Sequence, residues 1–573
     1  MKSIMTCRWL RVLLLIIAVQ ATASTKAAGE GSPPVLCDRI DLLREHGQLT
    51  VRGQAIKAVT LIPELYGRTG HGLVWRDETK ILALITAVED SRLDGLIPAD
   101  YHHETLAAML RDYRAGLMSA CERADFDILL TDALVRLGYH YLFGKVNPKN
   151  LDEDWNLSRD IDGRDPVDIT LSIINGESLQ QGLATLIPDT DIYLKMKRAL
   201  ATYRAIAARG GWPALPAGPT LRPGMQSDRL TAIRNRLQIT GDLASGPSED
   251  PSNYDVTLLE AVRHFQRRHM LEPDGIIGEK TREAMNVPVA ARVDQIRVNM
   301  ERARWVFRHV PEEYLITDIA GFRVLYIRHG QIVWTAPAQV GRPFRKTPVF
   351  QDTLKYLVFN PTWTVPPTIL KNDVLPMIQH DPGYLEKKNM LVIDANNSIV
   401  DPSTIDWARV TAESFPYQIR QGPGPENALG RVKFMFPNKH LVYLHDTPHK
   451  SGFKPAERAF SSGCIRIERP FELAELLLDD PQRWNRRQIE QLVEQNQTRT
   501  VNLSRQIPVF LLYWTVDADN TDFYFKADVY NRDNAILDAL NGAFKFEPPD
   551  SMPAWFLNSR REIAQGWLNN RLR

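Results

Sequence analysis

Cysteine is scarce in this chain: four residues in 573, at positions 7, 37, 121 and 464. So few cannot staple a fold of this length, and the composition, 44% hydrophobic and 24% charged, supplies an ordinary buried core instead. An excess of charge of one sign is lacking too. Lysines and arginines number 70 against 69 aspartates and glutamates, a net charge of +1. That removes the electrostatic footprint of a phosphate-tracking nucleic-acid binder. Beyond the first twenty or so positions, no apolar run approaches the roughly 20 residues needed to span a bilayer. Fixed-period repeats and low-complexity tracts are absent.

What is present begins with a basic, then apolar, N-terminus. Lys2, Arg8 and Arg11 precede a short apolar run from Val12 to Val19, and Ala21-Thr22-Ala23 offers a small-residue cleavage site. Residues 1–23 therefore read as an export signal, with retention as a membrane anchor the alternative. Cys7 lies before the apolar run, which argues against a lipoprotein site. Removing the signal leaves three cysteines, an odd number in an exported protein. A Cys37–Cys121 pair would close a long loop worth about 4 kcal/mol in the entropic model. Cys464 is then left over as a candidate reactive thiol, with a buried inert cysteine as the bland reading.

A length of 573 residues suggests three or four domains. Residues 34–208 carry apolar positions at helical spacing, as in ETKILALITAVEDSRLDGL and ADFDILLTDALVRLGYHYLFGKVNP. Residues 209–226, rich in glycine and proline, read as a linker. Residues 227–290 form a compact helical unit in which Leu258, Val262 and Phe265 share a face and Asp274-Gly275 makes a turn. From residue 311 to 530 the period shifts to two, with many β-branched and aromatic residues. Residues 370–427 interrupt that pattern and read as an insertion, a candidate lid. Residues 531–573 read as a helical tail. The expected class is multidomain α+β.

The chemistry concentrates in AFSSGCIRIERP, Ala459 to Pro470. A cysteine on a tight turn near a helix entrance and beside Arg466 is placed to favour thiolate over thiol. A base is needed, and His445 is the best placed of His440, His445 and His449, because it ends the apolar run HLVYL just before a turn. The carbonyl near Ser462 or that of Asp446 is a candidate to fix its tautomer. A zinc site built from these histidines and Cys464 fits poorly: in a strand His440 and His445 face opposite sides, and the usual close ligand pairs are missing. No metal or cofactor is expected.

HDTP followed by SSGCIRIERP resembles the active-site motif of the L,D-transpeptidases with a YkuD-type catalytic domain. VGRPFRKTP, FNPTWTVPPTI and GPGPENALGRVKFMFPN resemble further segments of that domain. Residues 227–290 resemble the three-helix peptidoglycan-binding domain, through Ala261-Val262, Phe265-Gln266, Leu271, Asp274-Gly275, Gly278, Thr281 and Asn286. The helical N-terminal region, with DGLIPADYH and GKVNP, looks like the scaffold domain of the large periplasmic subgroup. The resemblance implies Cys464 as nucleophile and His445 as base, with the backbone N–H groups of Gly463 and Cys464 holding an oxyanion. Ser462 stands where many relatives have histidine, so a mechanism that needs a second imidazole there does not apply. Arg466, Tyr443 and Trp363 are the candidate substrate-binding residues. The implied reaction is 3→3 cross-linking of peptidoglycan through a thioester, from a tetrapeptide donor to a diamino-acid side-chain amine. The alternatives are an L,D-carboxypeptidase or endopeptidase using water, and a non-catalytic wall-binding protein. The implied compartment is the periplasm, with inner-membrane association if the signal is kept. The implied partners are stem peptides and glycan, with penicillin-binding proteins as candidate suppliers, and susceptibility to carbapenems is implied as well.

Overall fold

Helix Ala120–Phe143 organises the N-terminal region. Ser119 and Glu122 form a reciprocal capping box at its start, and every residue from Ala124 to Phe143 is buried. The computed structural model describes residues 34–308 and 310–561; the export-signal reading and Cys7 lie outside them. A helix buried on all sides carries polar groups that need partners. Asp132 accepts from the backbone N–H groups of Lys57 and Ala58 and pairs with His102. Asp127 accepts from the Tyr66 hydroxyl and from the N–H groups of Val74 and Trp75.

The unit after the linker has three helices, Arg229–Ile239, Val256–Arg268 and Glu279–Asn286. Leu258, Val262 and Phe265 are fully buried in its core. Gly275 adopts φ +75, and a Cβ there would lie 2.1 Å from Leu259. The Gln266 side chain ties this turn down, donating to Asp274 and accepting from the Gly275 N–H. Helix Val289–Val306 then leads to the β domain. It packs with helix Asp191–Ala208 into the same hydrophobic core as the strands.

Nine strands build the β domain: β1 Glu313–Asp318, β2 Arg323–Arg328, β3 Gln331–Gly341, β4 Phe350–Phe359, β5 Val432–Met435, β6 Leu444–His445, β7 Ala459–Ser461, β8 Ile465–Ile467 and β9 Arg499–Leu512. Their order is β7-β3-β8-β6-β5-β4-β9-β1-β2, and β2 also pairs with β3, so the ladder closes on itself. The first half of β3 serves β2 and its last residues serve β8 and β7. The run HLVYL reads as a strand, yet only Leu444–His445 is one. Leu441 sits at φ +55, a left-handed conformation that ends any strand.

Between β4 and β5 lies a subdomain with its own core of Leu370, Val374, Ile378, Val392 and Ile419. Its sheet runs Trp363–Thr364, Gln418–Gln421, Met390–Ile393, Ile399–Val400. The helical run from Pro367 to His380 widens into a π turn at Leu370–Val374. Pro376 supplies the reason, since it has no N–H to continue an α-helical ladder.

The C-terminal segment is less helical than its sequence suggests. Helix Asp533–Asn541 is followed by a non-helical stretch through Pro548, Pro549 and Pro553, whose rings exclude helix, before the chain turns helical again at residue 554. This stretch straps the N-terminal region: Tyr139 donates to the Glu547 carbonyl, and Trp555 to Asp165. Residues 562–573 of the expected tail lie outside the described residues. Among the described residues no helix is long and apolar enough to cross a membrane.

Candidate active site

Strand register sorts the side chains at the sheet centre into two rows. Phe434 of β5, Leu444 of β6 and Ile465 of β8 stand side by side and are fully buried. One position along, Lys433 is aligned with His445, His445 with Arg466, and Arg466 with Gln339 of β3. Successive residues of a strand face opposite sides, so this second row points away from the apolar core. Neighbouring strands lie about 4.8 Å apart. The imidazole is thus flanked by a cation on each side.

Cys464 immediately precedes β8. The sequence places it near a helix entrance, but the helix begins only at Pro470, beyond the strand. No helix terminus therefore acts on the sulfur. The turn before it depends on Gly463 at φ +118, in the region that favours glycine. Ser461 Oγ accepts from the Gly463 N–H at 3.1 Å and donates to the Cys464 carbonyl at 2.5 Å. Of the two N–H groups expected to hold an oxyanion, that of Gly463 is therefore engaged. The Cys464 N–H has no acceptor among the described residues.

The loop after β3 carries this turn. Thr347, fully buried, accepts from the Gly341 N–H at 2.9 Å and donates to the Gly463 carbonyl at 2.8 Å. Tyr530 donates to the Gly341 carbonyl at 2.5 Å and accepts from the Thr347 N–H. Arg342 N–H donates to the Ser461 carbonyl. A Cβ at Gly341 would come within 2.2 Å of the Arg345 carbonyl, so the loop closes only because that position is glycine.

The Cys464 sulfur is half-buried and lies 3.8 Å from the Leu441 carbonyl, to which its S–H donates. Burial pushes the thiol pKa up, against the sequence expectation of a ready thiolate. The Tyr443 N–H, the charges of Arg466 and Lys433, and the Tyr443 hydroxyl offset part of that rise. The resting group is a thiol already surrounded by what its anion needs.

His445 is 4% exposed. Its Nδ1 lies 2.5 Å from the Asp446 carbonyl. A carbonyl only accepts, so Nδ1 carries the proton and Nε2 keeps the lone pair. Of the two candidate carbonyls, Asp446 is the one used. Asp446 is itself held: its carboxylate accepts from the Arg431 N–H and pairs with Lys450. Burial and then Arg466, with Lys433 adding, lower the His445 pKa to about 3, against the carbonyls of Asp446 and Leu429. The imidazole is neutral. The Tyr443 ring stands at 64° to it with centroids 5.7 Å apart.

Ser462 is exposed and accepts from Arg345 Nη1 at 2.9 Å. The same nitrogen lies 2.6 Å from Asp373 in the π turn of the inserted subdomain. One guanidinium thus joins the cysteine loop to the insertion. Trp363 belongs to the insertion, paired with Gln421 and packed on its core; it is not part of the sheet that carries His445. Arg466 donates to Gln339 at 3.1 Å, and its Nε has no partner. His440 sits over the Phe350 ring, and among the described residues no three metal-ligating side chains cluster. Cys37 is half-buried on helix Pro34–His46 and Cys121 is exposed at the start of helix Ala120–Phe143; both are free thiols, so the pairing suggested by counting is not made.

Sequence reasoning left out Thr347, Ser461, Tyr530, Arg345 and Lys433. Thr347 and Arg345 lie in VGRPFRKTP and Lys433 in GRVKFMFPN, segments already marked by resemblance. For Lys433 a period-2 reading of VKFM would have placed it opposite the core. Nothing local marks Tyr530.

Residues 60–200 match the family model described as "Scaffold domain", residues 226–285 that of "Putative peptidoglycan binding domain", and residues 312–483 that of "L,D-transpeptidase catalytic domain". The chain is 33% identical over 222 residues to "Putative L,D-transpeptidase" of Haemophilus influenzae, a match covering 39% of this chain and 45% of the relative. The chain therefore spans less than half the length of that curated relative. Solved structures with weak likeness include an L,D-transpeptidase (residues 123–326) from Xylanimonas cellulosilytica, 14% identical, covering 52% of this chain and 99% of that one at a TM-score of 0.16. Another is the Ldtfm–avibactam carbamoyl enzyme, 12% identical, covering 35% and 49% at a TM-score of 0.16. Residues 312–483 are thus of the L,D-transpeptidase catalytic-domain type, preceded in this chain by a scaffold-type region and a peptidoglycan-binding-type unit.

Proposed function

We propose that this protein is a peptidoglycan L,D-transpeptidase that forms 3→3 cross-links through a thioester on Cys464. The observation that carries the reading is a half-buried sulfur encircled by hydrogen-bond donors and cations, with a neutral imidazole of fixed tautomer on the adjoining strand. The Cys464 sulfur attacks the carbonyl at the L-centre of the third residue of a tetrapeptide stem. Its proton passes to His445 Nε2 and then to the departing D-alanine amine, as the C–N bond breaks and the C–S bond forms. A diamino-acid side-chain amine of a second stem attacks the thioester; the C–S bond breaks and the proton returns to sulfur through His445. The Cys464 N–H is the free donor for the oxyanion. The inserted subdomain, tied by Arg345, narrows the approach of water to the thioester.

The three-helix unit would hold glycan and the export signal would deliver the protein to the periplasm, with penicillin-binding proteins as suppliers of nascent strands. Incubation with a disaccharide-tetrapeptide, followed by mass spectrometry, tests the proposal. A cross-linked dimer and a covalent adduct on Cys464, both lost in Cys464→Ala, are expected. A shortened monomer alone would make the enzyme a hydrolase. No change in the peptide, with binding to sacculi retained, would make it a binding protein.

A further inference from the structure

Lys433 is a group beside the candidate active site to which no role has yet been assigned. It is half-buried on β5, beside His445 by strand register, and its ammonium stands 5.4 Å from the centroid of the Tyr443 ring. Among the described residues no carboxylate pairs with it. Arg466, on the other side of His445, also has no acid partner, and its Nε–H is buried without an acceptor. Arg342 adds a third positive charge next to Arg466. Partly buried cations are ordinarily paired with acids, because leaving an ammonium or guanidinium dry and alone is costly. Here two flank one imidazole and face one thiol.

The thiolate supplies one negative charge, and only while it exists. A second anion is missing from the protein itself. We infer that Lys433, together with Arg466, forms a receptor for the free terminal carboxylate of the donor stem, one residue beyond the scissile carbonyl. This rests on the acyl-transfer reading above and narrows its substrate to a stem that ends in a free acid. The carboxylate of a departing D-alanine sits two bonds past the scissile nitrogen, so a carbonyl seated at Cys464 brings it within reach of the cations around the sulfur.

The same contact would serve the base. With the protein's own groups alone, proton transfer from a thiol held high to an imidazole held near 3 is uphill. The two flanking cations contribute to that depression, and a carboxylate placed between them cancels their field on His445. Donor recognition and base activation would then be one event.

The test compares two tetrapeptide donors, one with a free C-terminal carboxylate and one with a C-terminal amide, in wild type, Lys433→Met and Lys433→Arg. The readout is kcat/KM for adduct formation on Cys464, followed by intact-protein mass spectrometry. Wild type should prefer the free acid by about ten- to hundred-fold, the worth of one charge-assisted hydrogen bond. In Lys433→Met that ratio should fall toward one, through a rise in KM for the free acid, and Lys433→Arg should restore much of it. A ratio unchanged in Lys433→Met, with both donors slowed alike, overturns the inference and leaves Lys433 a stabiliser of the thiolate. Equal rates for both donors in wild type overturn it as well. An absence of adduct with either donor instead overturns the acyl-transfer reading, and this inference falls with it.

Discussion

Replacing Thr347 by valine keeps the shape of the side chain and removes one hydroxyl. That hydroxyl accepts from the Gly341 N–H at 2.9 Å and donates to the Gly463 carbonyl at 2.8 Å, at a position with no solvent exposure. Valine leaves two buried backbone groups without partners, at about 1–3 kcal/mol each. A rigid response would cost the loop about 2–6 kcal/mol in all. The cheaper response is for the turn at Gly463 to shift until both groups reach water, and Cys464 shifts with it. A misplacement of about 1 Å in a reacting group is worth about a hundred-fold in rate. We therefore expect the rate of adduct formation on Cys464 to fall by about two orders of magnitude in Thr347→Val. Thr347→Ser, which keeps the hydroxyl, should stay within a few-fold of wild type. Hydrogen exchange at the Gly341 amide should quicken in the valine variant, while that of helix Ala120–Phe143 should not. Unaltered acylation and exchange in Thr347→Val would refute the claim that this hydroxyl positions the nucleophile.

Three further expectations concern the imidazole, the thiol and the inserted subdomain. His445 has a pKa of about 3 in the fold and near 6.5 in an unfolded chain. The folded state therefore refuses a proton that the unfolded state accepts, so His445 contributes no pH dependence above about pH 6.5 and weakens stability by roughly 1 kcal/mol per pH unit below it. Stability measured from pH 7 to pH 4 should thus fall less steeply in His445→Gln than in wild type. The alkylation rate of Cys464 by iodoacetamide should show no inflection at pH 6–7 and should rise only above the ordinary thiol range; an inflection at pH 6–7 would mean that the imidazole protonates within the fold. Arg345 pairs with a partly exposed Asp373, a contact worth about 0.2–1 kcal/mol. Arg345→Leu should raise hydrolysis relative to transfer by at most about five-fold, read from the ratio of shortened monomer to dimer, and an unchanged ratio would dissociate the latch from water exclusion.

Much of the site is legible in local sequence. Gly463 and Cys464 lie next to one another, Arg466 alternates with Ile465 and Ile467, and His445 stands at the end of an apolar run before a turn. Cues this short predict which residues share a face, because a strand has a period of two. They fail where backbone conformation breaks the pattern without a glycine or proline to announce it. Leu441 at φ +55 shortens a five-residue strand to two and turns its carbonyl toward the sulfur. They also misjudge the thiol. Arg466 beside a cysteine reads as a thiolate environment, whereas burial, which no local stretch states, outweighs it.

By itself the sequence determined the helical and β regions and singled out Cys464 and His445 as the candidate nucleophile and base, since these follow from periodicity, turn chemistry and short motifs. Tertiary structure alone decided the register that aligns Lys433, His445 and Arg466 across three strands separated by up to 33 positions in the chain. It alone brought Thr347 under Gly463, Tyr530 under Gly341 and Asp373 to Arg345. Such pairings are set by which strands meet and how far each slides before its apolar row is buried, and that is a property of the whole sheet, not of any segment within it.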